Sequence, residues 1–116
     1  MNHIKLSAAE IFTKPTAKTF EYNLPDKDIN WCLCDVSGRF PEAGWALNKV
    51  CKEMVFIIDG NGKLVVDGQG EVSFKKNDLL FVEPNAKYYW VAKARLGISC
   101  TPAWYPEQHE TISYEK

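Results

Sequence analysis

The feature that most constrains the fold of this chain is a series of short apolar segments separated by glycine-containing turns. Residues 54–58 and 63–66 flank Asp-Gly-Asn-Gly at 59–62, and residues 71–74 follow Asp-Gly-Gln-Gly at 67–70. Asp-Gly and Asn-Gly pairs supply the positive φ that tight hairpin turns require. We therefore predict a meander of antiparallel strands with a turn about every ten residues, which is typical of a sandwich or a barrel.

The rest of the chain extends this pattern. Further strands are predicted at residues 19–22, 29–36, 79–82, 88–92 and 98–101, and residues 37–41 are predicted to break the strand before them. We expect an all-β fold in which nine or so short strands form a closed or nearly closed barrel.

Both ends of the chain are predicted to lie outside this barrel. Ser7 and Glu10 have the spacing of a capping box, which predicts one helical turn that ends before Pro15. We expect a single domain over residues 1–116, with an N-terminal arm at 1–16 and an irregular tail at 101–116.

Length and composition narrow the class of protein. The chain has 116 residues and a formal net charge of −1, which argues against nucleic-acid binding because that requires clustered positive charge.

No segment approaches the ~20 apolar residues of a membrane span, and the first residues lack the apolar run of a secretory signal. With four cysteines in a chain that also has an ordinary core composition, we expect a cytoplasmic protein.

Two segments resemble the two-part signature of the cupin family, a group of small β-barrel proteins. Glu53 and Gly60 keep the Glu-x6-Gly spacing of the first part, and residues 84–88 correspond to the end of the second. Many cupins also have His-x-His in the first part and a histidine at the end of the second, but this chain has neither.

Three further segments, at residues 38–42, 88–90 and 101–109, resemble a subgroup of small single-domain cupins that lack the metal-binding histidines. The resemblance implies a cupin-type β-barrel, or jelly roll. It also implies a homodimer, because many cupins pair through their N-terminal strands or their sheet edges.

The resemblance places the missing histidines at one of two pairs of positions. If four residues separate the His-x-His positions from Glu53, the two histidine positions fall on Ala46 and Asn48. If three residues separate them, the positions fall on Leu47 and Lys49. We prefer the first register, because it leaves one small and one polar side chain in the interior and lets Lys49 reach solvent.

The number of histidines bears on metal binding. A cupin-type site needs about three or four imidazole or carboxylate ligands, whereas the chain has two histidines, His3 and His109, near its termini. Glu53 and His109, even with Asn48 or Tyr88, make a poor ligand set. We therefore expect no metal and no other cofactor.

The cysteines offer another metal site. Cys32 and Cys34 fall on one face of a predicted strand, and with Cys51 and Cys100 they make a four-thiolate zinc site conceivable. The spacing lacks the Cys-x2-Cys knuckles of structural zinc sites, which favours buried core thiols.

Glu53 is the central candidate residue. If its side chain faces the interior, Val55 and Ile57 share that face, and the apolar surroundings raise the pKa of its carboxyl group. The alternative is a surface carboxylate paired with Lys49 or Lys52, which contributes little to stability.

Asn48 and several aromatic residues complete the predicted site. A buried amide at Asn48 requires partners, because an unsatisfied one costs about 1–3 kcal/mol. Alternation puts Tyr88 and Trp90 on one face, where they either pack the core or line a mouth suited to a flat or sugar-like ligand. The predicted ligand-binding residues are Asn48, Glu53, Tyr88, Trp90, Trp104 and His109, of which Glu53 and Tyr88 are the predicted catalytic pair.

These residues support four hypotheses about function. The favoured one is a metal-free barrel that binds a small polar or aromatic molecule, either sugar-like or keto-acid-like. The second is an isomerase or lyase in which Glu53 and Tyr88 act as an acid–base pair. The others are a metal-dependent enzyme with atypical ligands and a dimeric interaction module that binds no ligand.

Overall fold

The computed structural model of the protein describes residues 1–113. Within them, short 3-10 helices span Leu6–Ala8 and Pro106–Gln108. The strands are β1 (Glu10–Lys14), β2 (Ala17–Tyr22), β3 (Asn30–Phe40), β4 (Trp45–Asn48), β5 (Lys52–Val66), β6 (Gly70–Lys75), β7 (Leu79–Val82), β8 (Tyr88–Thr101) and β9 (His109–Ile112). The all-β prediction is confirmed.

The strands belong to one antiparallel sheet that curls into a half-barrel. One path through the sheet has the order β1-β2-β3-β8-β4-β9, and β5 pairs with β6, β7 and β8. The longest ladder joins β5 to β8, from Lys52 opposite Thr101 to Val66 opposite Tyr88. A register shift between Ile57 and Asp59 bends β5 along this ladder.

Residues 59–62 do not form the predicted hairpin turn but continue β5 opposite residues 92–95 of β8. A Cβ atom on Gly60 would collide with the backbone of Lys93, and one on Gly62 with the backbone of Val91. These glycines therefore allow two strands to approach closely beside the bulge. The other predicted turn, at residues 67–70, joins β5 to β6 as expected.

Two more strands are longer than the sequence predicts. β8 runs unbroken from Tyr88 to Thr101, because alternation continues through its middle: Ala94 and Leu96 are buried, while Arg95 faces outward. There the guanidinium donates to both carboxylate oxygens of Asp35 on β3, at 2.7 and 2.9 Å. β3 likewise continues to Phe40 through the predicted break at residues 37–41, pairing with β8 throughout.

The termini also differ from the prediction. Ser7 lies inside the first 3-10 helix, whose N-cap is Lys5, and Glu10 begins β1 instead of completing a capping box. Pairing of β1 with β2 here overrides the local helical signal. The C-terminal tail is irregular only in part, because β9 pairs with β4 from Trp45 opposite Ile112 to Asn48 opposite His109.

The two faces of the sheet have different environments. The concave face holds the core, which includes Val36, Ala46, Val55, Ile57, Leu64, Phe74, Val82, Trp90 and Leu96. On the convex face, Met54 and Phe56 of β5 are exposed. No helix of residues 1–113 is long and apolar enough to span a membrane.

Candidate functional site

Asn48 lies at the end of β4 with its side chain on the concave face, where it is 1% exposed. Ala46 shares that face, whereas Lys49 is exposed and its Nζ lies 3.9 Å from a carboxylate oxygen of Glu110. Leu47 is buried as well, but the exposure of Lys49 excludes the register that would place Leu47 and Lys49 inside together.

Glu53 enters the same interior from the start of β5. Val55 and Ile57 are completely buried on its face, while Met54 and Phe56, which alternate with them along β5, are about half exposed. Burial raises the pKa of the Glu53 carboxyl group to about 7, with a further upward contribution from the charge of Glu21. The nearby amide of Asn48 acts in the opposite direction but does not offset the loss of solvation.

Glu21 is a partly buried carboxylate that the sequence analysis did not identify. It lies on β2 opposite Cys32, on the face that also carries Ala17 and Thr19. Burial, with a contribution from Glu10, raises its pKa. Alternation along residues 17–22 is a signal that could have placed Glu21 beside the core.

Tyr88 and Trp90 of β8 are both buried and share the concave face. Their ring centroids are 6.4 Å apart, and the Trp90 ring also packs edge-to-face against Phe74 at 5.6 Å. Burial and the charge of Glu53 hold the pKa of Tyr88 well above its usual value, so its hydroxyl stays protonated and can donate. Trp90, in contrast, serves mainly as a core residue.

His109 and Trp104 lie at the edge of this interior. His109 is the residue of β9 opposite Asn48, and its Nδ1 is 3.2 Å from Oδ1 of Asn48. The Trp104 ring, which is partly exposed, is centred 5.7 Å from the His109 ring. Burial, with a smaller effect from Lys14, lowers the pKa of His109, which therefore favours the neutral imidazole.

Gln108 is a second site residue that the sequence analysis missed. It is 2% exposed, and its Oε1 accepts from the backbone N–H groups of Val50 and Cys51 at 3.3 and 3.1 Å. Its Nε2 donates to Oδ1 of Asn48 at 2.9 Å. No sequence signal marks this residue, because its partners lie more than fifty positions away.

One polar atom in the interior has no partner. Within residues 1–113, Nδ2 of Asn48 is buried and makes no hydrogen bond. Its N–H group lies close enough to the Glu53 carboxyl group and the Tyr88 hydroxyl to lower the pKa of both, although it makes no hydrogen bond of ordinary length to either. The interior therefore presents an unused N–H donor between two oxygen-bearing side chains.

The cysteines behave as core thiols. All four are free; those of Cys51 and Cys100 donate to the carbonyl oxygen of Pro102 at 3.3 and 3.4 Å, and that of Cys34 accepts from Thr19. Burial raises the pKa of Cys34 to about 11, so this thiol stays protonated at neutral pH. In the part of the chain that the structure describes, no group of three or more His, Cys, Asp or Glu residues is placed to hold a metal.

Two surface depressions lie away from these residues. One of about 300 Å³ is lined by Asn2, Ile4, Tyr22, Leu24, Ile29, Asn30 and Trp31. The other, of about 280 Å³, is lined by Asp67, Gln69 and residues 83–87. None of the six predicted ligand-binding residues lines either depression.

Comparison with known proteins connects the chain to others through its fold. No family model matches the sequence, and no curated protein matches it. Among solved structures, Pac13 from Streptomyces, described as a nucleoside dehydratase, has a TM-score of 0.88 at 15% identity, covering 100% of this chain and 94% of that one. A Pac13 variant with uridine gives the same TM-score and identity.

Two other enzymes have similar folds. Ectoine synthase from P. lautus has a TM-score of 0.77 at 15% identity, covering 100% of this chain and 93% of that one. The polyketide cyclase RemF from Streptomyces resistomycificus has a TM-score of 0.75 at 9% identity, covering 100% and 88%. The chain therefore has the fold of a cupin-like β-barrel.

Proposed function

We propose that this protein binds a small, polar, uncharged molecule on the concave face of the sheet, through Asn48, Glu53 and Tyr88. The observation that carries the proposal is the unpaired Nδ2 of Asn48, because a buried donor left without a partner costs about 1–3 kcal/mol. A ligand oxygen at this point would remove that cost. Tyr88 adds a protonated hydroxyl and Glu53 a carboxyl group beside it.

The structural neighbours support a ligand of this kind. Pac13 has been solved with uridine, and its described activity is on a nucleoside. Ectoine synthase and the polyketide cyclase also act on small organic molecules. A barrel of this shape is therefore suited to holding a compact polar ligand.

Interior charge favours a sugar-like ligand over a keto acid. Glu21 and Glu53 both face the concave side, and a ligand carboxylate there would be opposed by their negative charges. Hydroxyl groups, by contrast, can both donate to a carboxylate and accept from Asn48. Trp104 and His109 would contact the ligand from the edge of the sheet, and Trp90 would support Tyr88 from the core.

A second candidate function is acid–base catalysis by Glu53 and Tyr88. The observation that favours it is the pKa of Glu53, about 7, at which a carboxyl group both accepts and returns a proton near neutral pH. In an elimination, Glu53 would accept a proton from a carbon of the ligand and return it to the departing hydroxyl group, which leaves as water while Tyr88 donates a hydrogen bond. An isomerase or a lyase on a sugar-like compound is the class of enzyme this arrangement suits.

Native mass spectrometry and calorimetry test both proposals. Protein purified under native conditions should carry a small molecule, and a panel of nucleosides, sugars and keto acids should include binders of the first two classes. Tyr88→Phe should weaken binding about tenfold, the value of one lost hydrogen bond, whereas Glu83→Gln on the surface should not. Selective binding of keto acids would contradict the proposed ligand class, and failure of every class would contradict binding itself.

We further propose that a homodimer forms through the convex face, where Met54 lies opposite Phe81 and Phe56 opposite Leu79 on exposed positions of β5 and β7. The same face would serve an interaction module that binds no ligand. We also propose a cytoplasmic location, on the basis of the cysteine content. A metal-dependent enzyme would need ligands of another kind, since no three His, Cys, Asp or Glu residues within 1–113 are grouped to hold a metal.

A further inference from the structure

The direction of the hydrogen bonds around Gln108 is determined by the backbone. The N–H groups of Val50 and Cys51 can only donate, so the Gln108 atom that faces them must be its oxygen, Oε1. The backbone of Gln108 is held as well, because its carbonyl accepts from Lys49 at 2.7 Å and its N–H donates to Tyr105 at 3.3 Å. The side-chain amide therefore has one orientation, with Nε2 toward Asn48.

The orientation of the Gln108 amide determines the orientation of the Asn48 amide. Nε2 of Gln108 can only donate, so the Asn48 atom 2.9 Å from it must be Oδ1. Nδ2 of Asn48 must then point the other way, into the interior beside Glu53 and Tyr88. The unpaired donor at Asn48 is thus a consequence of the two backbone N–H groups, of Val50 and Cys51, that orient Gln108.

Oδ1 of Asn48 also determines the tautomer of His109. Nδ1 of His109 lies 3.2 Å from Oδ1 of Asn48, and two acceptors cannot share a hydrogen bond, so Nδ1 must carry the proton. In a neutral imidazole this leaves the lone pair on Nε2.

We infer that Gln108 is a positioning residue that sets the polarity of the whole site: a donor at Nδ2 of Asn48 toward the interior, and an acceptor at Nε2 of His109. The complement of this pattern is a ligand that offers an oxygen to Asn48 and a hydroxyl or N–H group to His109. That last step rests on the proposed binding function, whereas the orientation of the three side chains does not.

Gln108→Glu tests the inference with little change in shape. One oxygen of the introduced carboxylate can still accept from Val50 and Cys51, but the other cannot donate to Asn48. The Asn48 amide should therefore rotate, so that Nδ2 donates to this carboxylate and faces His109. The proton on His109 should then move from Nδ1 to Nε2. Long-range proton–nitrogen NMR on the histidine rings reports this directly at about pH 8, where neutral imidazole dominates.

The expected result is an Nδ1–H tautomer for His109 in the natural protein and an Nε2–H tautomer in Gln108→Glu. Gln69→Glu makes the same chemical change in the exposed turn between β5 and β6 and should leave the tautomer unchanged. A His3→Gln variant assigns the two sets of ring signals. An Nε2–H tautomer in the natural protein overturns the inference, and so does an unchanged tautomer in a folded Gln108→Glu.

Asn48→Asp provides a second test that does not require Gln108 to be altered. Its carboxylate still accepts from Gln108 and His109, so the Nδ1–H tautomer should persist, but the interior now faces an oxygen in place of an N–H group. The titration midpoint of Glu53, followed by carbon NMR, should rise by at least about one unit, because the N–H group near its carboxylate is replaced by an oxygen that carries negative charge. An unchanged midpoint would mean that Nδ2 of Asn48 does not face Glu53, which overturns the inference independently of any ligand.

Discussion

The carboxyl group of Glu53 lies beside the side-chain amide of Asn48, where β4 turns into β5 on the concave face of the sheet. The amide N–H favours the ionised carboxylate, and burial among Val55 and Ile57 disfavours it. Burial has the larger effect of the two, so the pKa of Glu53 is raised to about 7. Glu53 is therefore a carboxyl group that the fold keeps partly protonated at neutral pH.

Glu53→Gln should stabilise the protein at high pH. The folded protein binds a proton at Glu53 more tightly than the unfolded chain, so stability is full below the unfolded pKa of 4.5 and is lost as pH rises toward about 7. Glutamine at position 53 cannot ionise, so the variant does not lose stability in this way. At about pH 8 the free energy of unfolding should rise by at most roughly 3 kcal/mol, the limit that a pKa shift of this size sets, with no gain near pH 4.

Urea denaturation of the two proteins across this pH range measures the effect. Glu83→Gln removes an exposed carboxylate and provides the matched control, since its curve should parallel that of the natural protein. If Glu53→Gln changed stability equally at every pH, the Glu53 carboxyl group would not be desolvated in the folded state.

Glu21→Gln should lower the pKa of Glu53. The negative charge of Glu21 is one of the causes that raise this pKa, so its removal makes ionisation of Glu53 easier. The titration of the Glu53 carboxyl carbon by NMR should therefore move to lower pH, but stay above the ordinary value because burial remains. Glu83→Gln should not move it, and an equal shift in both variants would exclude a local interaction with Glu21.

Alternation along the strands predicted which way three side chains of the candidate site point. The inward direction of Asn48, Glu53 and Tyr88 follows from residues close to them in sequence, together with the spacing shared with cupins. Gln108 has no such signal, since its contacts with Asn48 and Cys51 exist only after β9 pairs with β4. Non-local pairing of this kind cannot be read from local pattern.

The sequence pattern at residues 59–62 correctly predicted a positive φ at Gly60, but Gly62 has none and the predicted turn does not form. Gly60 has a φ of 85°, as a tight turn would require, but it lies in a bent strand opposite Ala94. A positive φ serves a turn and a bulge equally well. A bulge forms instead of a turn where a partner strand pairs with the segment, and here residues 59–62 pair with β8.

Gly60→Ala should destabilise the protein more than Gly68→Ala. Both glycines have positive φ, 85° and 78°, so each substitution costs about 1–2 kcal/mol in backbone strain. Only at Gly60 would the new methyl group also collide with the backbone of Lys93, whereas Gly68 faces open space. The additional cost should be about 1–3 kcal/mol, typical of overpacking.

Thermal and chemical denaturation of the two variants separate the steric cost from the conformational one. Equal losses of stability would show that β8 moves away without cost and that close approach is not why glycine stands at position 60.

The exposed apolar face of β5 and β7 leads to a prediction about assembly. Phe81 is 57% exposed and Leu79 is 60% exposed, beside Met54 and Phe56 on the neighbouring strand. Adjacent apolar side chains of this size in water favour association. If a homodimer forms through this face, Phe81→Lys should convert it to monomer, because a lysine there would place a charge in the contact.

Sedimentation equilibrium over a range of concentrations gives the mass of each species. Val72→Lys is the matched control: Val72 is also exposed, at 45%, but lies on β6, outside the β5–β7 face. A dimer that survives Phe81→Lys with unchanged dissociation constant would place the contact elsewhere, and a natural protein that sediments as a monomer at all concentrations would exclude the dimer. Because the convex face and the interior are on opposite sides of the sheet, loss of the dimer should leave the pKa of Glu53 unchanged.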